Sequence, residues 1–398
     1  MAEKKQLRIG MVGYKFMGRA HSHAYRDAAF YFDPKVEPVL QAICGRNEEK
    51  VKEAADQFGW NSYETDWRDL IKREDIDLID IVTPNYNHAE IAIAAAEAGK
   101  HVFCEKPLAL NLEQAQRMLE AVEKNKVLHM INHNYRFAPA IQFAKKLIED
   151  GRLGKIYHIR ATYLQDWIMD PQFPLVWRLN KDVSGSGSHG DLAAHSIDLA
   201  RFLVGEFKEV TGILETFIKQ RPLVEDSDGL SGKASRDKVG DVNVDDASVF
   251  IARFANGAIG TFEATRFAGG NRNGNRFEIN GEKGSIRWDM EQMNNLEVYF
   301  HDDEPGIQGY RTITCTEEIH PFAAAYWPAG HIIGYEHTFI NLVVELLNGI
   351  EQGYSPSPNF YDGVKNQAVL EAVEQSSQTK QWIDIPDVIQ KLEPVSKE

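Results

Sequence analysis

Along the first third of the chain, apolar residues come in short unbroken runs, separated by longer stretches in which they recur every three or four positions. Unbroken runs fit strands buried on both faces of a parallel sheet, and the longer period fits helices laid over it. The runs at 7–12, 36–44, 78–82, 101–104 and 128–131 predict strands, and the periodic stretches at 48–58, 67–71, 89–98 and 112–124 predict helices. This alternation describes a doubly wound α/β domain over residues 1–132.

Beyond Tyr135 the pattern changes. A helix is predicted at 139–149, and then apolar and polar residues alternate over 156–164, 210–218, 247–254, 258–266, 276–280, 284–289 and 296–300, as in antiparallel strands with one buried face. Helical periodicity returns at 191–203, 335–347 and 361–376, so residues 133–398 read as a second α/β domain on a large, mostly antiparallel sheet. The polar stretch 225–241 has no apolar period and reads as an exposed loop.

Composition narrows the function. A chain of 398 residues suits two domains at the usual ~100–200 residues each. A formal charge of −15 lacks the Lys- and Arg-rich footprint of a nucleic-acid binder. No stretch approaches the ~20 apolar residues of a membrane span, and the opening Met-Ala-Glu-Lys-Lys-Gln holds no apolar signal core. A cytoplasmic protein with neither a nucleic-acid nor a membrane partner is expected. Cys44, Cys104 and Cys315 have no metal-like spacing and read as buried reduced thiols, with no metal site.

Candidate chemistry gathers at strand ends. Gly13-Tyr-Lys-Phe-Met-Gly18 follows a strand and opens a helix, where a dinucleotide pyrophosphate rests on main-chain N–H groups. Lys15 stands where the middle glycine of such loops normally lets the backbone approach the phosphates. At the end of the second strand, Cys44-Gly-Arg-Asn47 offers no ribose-binding carboxylate and places Arg46 where it can pair with a 2′-phosphate, so NAD or NADP fits. Thr83-Pro-Asn-Tyr-Asn-His88 ends the next strand, on the side where open α/β sheets bind ligands; Asn87 or His88 equally suits the N-cap of the helix that follows.

Lys106 is the strongest candidate. It stands one residue, Glu105, beyond the apolar run Val102, Phe103, Cys104 and directly before Pro107, which biases its backbone away from helix and restrains it. Further along, Ser184-Gly-Ser-Gly-Ser-His-Gly-Asp191-Leu-Ala-Ala-His195 places Asp191 and His195 four apart on one helical face, after a glycine-rich segment expected to leave the helix N-terminus open to a ligand.

These motifs, in this order, resemble the Gfo/Idh/MocA oxidoreductases: Gly13 to Gly18, Thr83-Pro-Asn to His88, Glu105-Lys106-Pro107 and Gly190-Asp191 to His195. Within the family, Phe16-Met-Gly-Arg-Ala-His-Ser22, Tyr163-Leu-Gln-Asp-Trp167, Trp177-Arg178 and Gly185-Ser-Gly187 are most similar to sugar dehydrogenases of the levoglucosan and inositol dehydrogenase type. The resemblance implies a catalytic group of Lys106, Asp191 and His195, with Lys106 preceding a cis proline. It implies NAD or NADP held by Gly13, Lys15, Phe16, Met17, Arg46, Thr83, Pro84, Asn85, His88, Glu105, Lys106, Trp177 and Arg178. It implies a sugar or polyol substrate held by Lys106, Tyr163, Gln165, Asp166, Trp167, Asp191 and His195, and a homodimer or homotetramer formed through the large sheet.

Oxidation of a carbinol needs a base for the hydroxyl proton and a positive group for the developing alkoxide. An imidazole, with an ordinary pKa of ~6.5, suits the first, and a lysine ammonium suits the second. Asp191 orients His195 or grips a neighbouring hydroxyl. Tyr163 and Trp167 suit the C–H faces of a sugar, and equally suit a core or a subunit contact. Two other functions use the same motifs: transient oxidation that leads to glycoside cleavage or epimerisation, and a non-catalytic cofactor-dependent sensor. The latter has no need of Lys106, Asp191 and His195.

Overall fold

In the computed structural model, which describes residues 4–227 and 231–388, the expected alternation opens the chain. Its first elements are β1 (Lys5–Val12), α1 (Phe16–Phe32), β2 (Val36–Cys44), α2 (Glu48–Phe58), β3 (Tyr63–Glu64), α3 (Trp67–Lys72), β4 (Leu78–Ile81), α4 (His88–Glu97), β5 (His101–Cys104), α5 (Leu112–Lys124) and β6 (His129–Ile131). The six strands are all parallel, in the order β3-β2-β1-β4-β5-β6. Order reverses between β1 and β4, which leaves a crevice beyond their carboxyl ends. Every residue of β4 is buried, as a strand covered on both faces requires.

The chain continues through α6 (Pro139–Glu149), β7 (Ile156–Leu164), α7 (Lys181–Ser184), α8 (Ala194–Leu203), β8 (Phe207–Glu215), β9 (Gln220–Ser227), β10 (Gly232–Asp241), β11 (Ala247–Phe254), β12 (Ile259–Thr265), β13 (Gly274–Gly281), β14 (Gly284–Asp289), β15 (Asn295–Phe300), β16 (Arg311–Thr314), α9 (Glu336–Gln352), α10 (Phe360–Thr379) and β17 (Ile383–Asp384). Nine strands form one sheet in the order β16-β15-β14-β13-β7-β12-β11-β8-β17. Its neighbours run antiparallel except β7 and β12. Burial alternates along β11 and β13, so one face carries the core, on which α6 and α8 pack, and the other is open.

Two compact units result. One holds the residues through Asn134 together with Glu336–Gln367, and the other holds Tyr135–Tyr335 with Ala368–Pro386. Within the first, α9 packs along α1 despite lying more than 300 residues away in sequence.

Two expectations need correction. The stretch 225–241 is not a loop: β9 and β10 pair as an antiparallel hairpin, with Gln220 opposite Asp241 and Ser227 opposite Gly232, while residues 228–230 lie outside the described residues. Most of β10 is solvent-exposed or half-buried, so no burial pattern marks it in the sequence. The helix expected from residue 191 instead begins with a turn of π-helix, His189–Ala193, before α8. Such widened turns recur at functional sites.

Candidate active site

At the mouth of β1 the chain is shaped to admit a dinucleotide. Gly13 has φ +116°, and a Cβ there would lie 2.7 Å from the Val82 carbonyl oxygen; one at Gly18 would lie 2.6 Å from that of Gly13. The N-cap residue of α1, Lys15, makes no side-chain cap, and the first-turn N–H groups of such a helix can receive an anion. Thr83 Oγ1 at the end of β4 is buried without a hydrogen-bond partner among the described residues. An orphaned buried hydroxyl in this crevice fits a bound cofactor. Phe16 is exposed on the first turn, and Lys15 occupies the N-cap position. The ring of Tyr14 lies against Gly45, where a Cβ would meet it at 2.1 Å, and Arg46 beside it is exposed.

His88 is fully buried and spans two loops, with Nδ1 3.0 Å from the Pro107 carbonyl oxygen and Nε2 3.0 Å from that of Thr83. Burial lowers its basicity. Its ring therefore ties the Thr83–Asn85 segment to the residues after Lys106. Asn87 occupies the N-cap of α4 without a side-chain cap.

Lys106 stands where the sequence places it, after the buried residues Val102, Phe103 and Cys104, and its bond to Pro107 is cis. Beneath it lies a network that sequence reasoning did not assemble. Glu105 is buried, and its Oε2 accepts the Lys106 main-chain N–H at 3.0 Å. Its Oε1 faces His21 Nε2 at 2.9 Å and accepts from Asn132 Nδ2. His21 Nδ1 lies 2.9 Å from Asp80 Oδ2, which also accepts from the Tyr25 hydroxyl at 3.0 Å. Burial alone would lower the His21 pKa; Asp80 and then Glu105 outweigh it and hold the imidazolium up to about 10. Glu105 is likewise held below the ordinary carboxylate range against its burial, by His21 first and then Lys106.

In the second unit, Asp245 organises the start of the Asp191 turn. Its carboxylate accepts the main-chain N–H of Gly187 at 2.8 Å, that of His189 at 2.7 Å and the Ser188 hydroxyl at 2.7 Å. The glycine-rich segment was expected to open this helix end to a ligand; the buried Asp245 carboxylate occupies it instead. Gly187 is needed for that approach, because a Cβ there would lie 1.8 Å from the Asp245 carbonyl oxygen.

Asp191 projects from the π turn to Arg266, whose Nη2 donates to Oδ2 at 2.6 Å, and Arg178 Nε lies 3.9 Å from the same oxygen. Arg266 is 1% exposed, and its Nε and Nη1 have no hydrogen-bond partner among the described residues. Arg178 also lies over the Trp177 ring at 4.3 Å. His195 is buried, with its ring 4.4 Å from that of Tyr135 and 5.8 Å from that of Tyr163.

A polar array continues from there. The Tyr135 and Tyr163 hydroxyls are 2.8 Å apart, and Tyr163 donates to Asn273 Oδ1 at 2.7 Å. Gln165 Nε2 donates to the same Asn273 oxygen at 3.1 Å, while Gln165 Oε1 accepts from Trp167 Nε1 at 2.7 Å. Burial raises the Tyr163 pKa well above the phenol range, so its hydroxyl stays a donor. Trp167 packs against Phe173 and the small core of Ile168, Val176, Leu179, Val242 and Val244. Asp166 accepts from Gly270 N and Arg272 and so pins the loop that carries Asn273.

The structure thus brings Glu105 together with Lys106, Thr83 with His88, Asp191 with Arg178, and His195 with Tyr163. Trp177 and Arg178 belong to the second unit, unlike the other candidate cofactor residues. Sequence reasoning missed His21, Tyr25, Asp80, Asn132, Tyr135, Arg266 and Asn273. Asp80 carried a signal, since a carboxylate inside an otherwise apolar strand needs a partner.

A crevice shaped for the phosphates of a dinucleotide puts the protein among the nucleotide-dependent oxidoreductases. Residues 7–133 match the model of an oxidoreductase family with an NAD-binding Rossmann fold, and residues 141–287 match the GFO/IDH/MocA C-terminal domain. The chain belongs to the GFO/IDH/MocA oxidoreductase family. It is 43% identical to a levoglucosan dehydrogenase of Pseudarthrobacter phenanthrenivorans over 96% of this chain and 99% of that one. It is 28% identical to a myo-inositol 2-dehydrogenase of Thermotoga maritima over 96% of this chain and 100% of that one. A solved structure of a levoglucosan dehydrogenase in complex with NADH and levoglucosan superposes with a TM-score of 0.90, at 43% identity, covering 96% of this chain and 100% of that one. Among the described residues no helix is long and apolar enough to cross a membrane.

The His21 network sets a stability window. An imidazolium raised from 6.5 to about 10 contributes stability that is whole below about pH 6.5 and is lost as pH rises towards about 10. Glu105, shifted down, contributes stability that is lost in acid. The melting temperature of the wild type should therefore fall between about pH 6.5 and 10, and His21→Gln should flatten that fall. Circular dichroism melts across this range check it, and parallel alkaline declines in both proteins would show that His21 is not the titrating group.

Proposed function

We propose that the protein is a dehydrogenase of secondary hydroxyls on neutral sugars, with anhydrosugars of the levoglucosan kind as first candidates and inositols next. The first unit would hold NAD or NADP and the second the sugar. The observation that carries this reading is the array of Tyr163, Asn273, Gln165 and Trp167 beside His195. Its rings suit the C–H faces of a sugar and its amides and hydroxyls suit the ring oxygens. The high identity to a levoglucosan dehydrogenase over nearly the full length supports the same reading.

When bound, the nicotinamide supplies the acceptor for the carbinol hydrogen. Gly13, Lys15, Phe16 and Met17 would cradle its pyrophosphate, Thr83, Pro84, Asn85 and His88 would shape the crevice, and Arg46 would face the adenosine ribose. His195 takes the hydroxyl proton, and the Lys106 ammonium stabilises the developing alkoxide. Asp191, aimed by Arg266 and Arg178, grips a neighbouring hydroxyl. The three cysteines are buried and free, which supports a reducing, cytoplasmic setting.

Assay at 340 nm of levoglucosan, inositols and simple sugars, with NAD and with NADP, is expected to show stoichiometric cofactor reduction. Arg46→Ala should weaken NADP more than NAD. Turnover of a glycoside without added cofactor or net reduction would instead indicate transient oxidation.

On the best substrate, Lys106→Ala should lower kcat by about 10²–10³-fold with cofactor binding kept. His195→Asn should remove the limb of kcat/KM that rises with pH, read under a primary deuterium isotope effect. A Lys106→Ala enzyme with more than about half its turnover is not missing an electrostatic stabiliser of this size.

We also propose self-association as a homodimer or homotetramer through the open face of the nine-stranded sheet. On that face Val249 lies directly opposite Ile213, with Ile251 and Ile259 close by, all about half exposed. Sedimentation is expected to find a dimer or larger species that Ile251→Lys weakens; a monomeric wild type at micromolar concentration refutes the proposal.

A further inference from the structure

Both ring nitrogens of His21 face carboxylate oxygens at 2.9 Å, Asp80 on one side and Glu105 on the other. A neutral imidazole has one bare lone pair, which would confront a carboxylate here, so the geometry calls for two N–H donors. The ring is fully buried and stacked on Phe103 at 5.0 Å, and Phe339 packs at 5.7 Å on its other flank. It cannot turn to water. The groups facing this imidazolium are Asp80 from β4, which also holds Tyr25 from α1, Glu105 after β5, and Asn132 after β6, whose Nδ2 lies 3.1 Å from His21 Nε2 and donates to Glu105.

The end of this chain of bonds is the main chain of Lys106. Glu105 gives one oxygen to His21 and the other to the Lys106 N–H. We propose that His21 is a positioning residue for Lys106: pinned between Asp80 and Glu105, it locks the carboxylate that clamps the Lys106 peptide and lies within electrostatic reach of its ammonium. Two carboxylates and one imidazolium leave a single negative charge in the buried cluster. Without the imidazolium, Asp80 and Glu105 repel each other, and the Glu105 side chain loses the orientation that meets Lys106. A small shift in the origin of a side chain with four methylenes moves its ammonium away from the reacting oxygen.

The proposal rests on Lys106 being catalytic, and a double-mutant cycle separates the two claims. The variants are His21→Gln, Lys106→Ala and the pair, with kcat/KM measured on the best substrate and the dissociation constant of NADH measured by fluorescence. Alone, His21→Gln is expected to lower kcat/KM by about 10²-fold while NADH affinity changes less than about 3-fold. In the Lys106→Ala background the same substitution is expected to cost less than about 3-fold, because the residue it acts through is gone. Glu105→Gln, of the same shape as the residue it replaces, carries the same cycle if His21→Gln does not fold. Equal losses from His21→Gln in both backgrounds would overturn the proposal and leave catalysis by Lys106 standing. A Lys106→Ala variant of full activity would overturn the catalytic assignment and this proposal with it.

Discussion

A carboxylate inside a sheet covered on both faces has to be neutralised or paired, and Asp80 is such a carboxylate. It sits in β4 with no exposure to solvent. An isolated ion there costs several kcal/mol, so the surrounding sequence has to answer it. The answer is His21, one helical turn past the glycine loop, which carries a positive charge inward and is itself balanced on its far side by Glu105. Among the side chains that settle this electrostatic demand, Glu105 also holds the main-chain N–H of Lys106. The site is fixed by buried charge as much as by apolar packing.

The second unit answers a comparable demand in another way. Asp245 is buried, and its carboxylate is satisfied by main-chain N–H groups and a serine hydroxyl. Because those donors belong to the turn that carries Asp191, the carboxylate sets where that turn begins. Arg266 then meets Asp191 from the end of β12 and gives it a direction. Functional side chains hung on elements whose ends are tied down in this way keep their geometry without relying on loops.

Much of this was legible in the residues. The parallel sheet could be read because strands buried on both faces leave unbroken apolar runs, and the second sheet because one-sided burial leaves alternation. Lys106 stood out because Cys104 and Pro107 bracket it. The β9–β10 hairpin was not legible, since pairing without burial leaves no period. Nor were His21, Asn132, Arg266 and Asn273: their roles rest on partners tens of residues away, and short-range patterns carry no record of such pairs. The widened turn before α8 was hidden for the same reason, because Asp245, which anchors it, lies more than 50 residues downstream.

The contact of Tyr14 with Gly45 bears on how cofactor choice can be altered in this protein. An acidic residue at the end of the second strand is the usual means of favouring NAD over NADP. Here that place is barred by an aromatic ring from the dinucleotide loop, 2.1 Å from where a Cβ would stand. Positions 14 and 45 are therefore coupled: a carboxylate enters at 45 only when the side chain at 14 shrinks or turns away. A carboxylate introduced at 45 alone would meet the Tyr14 ring before it met a cofactor, so the two positions on the two loops have to change together.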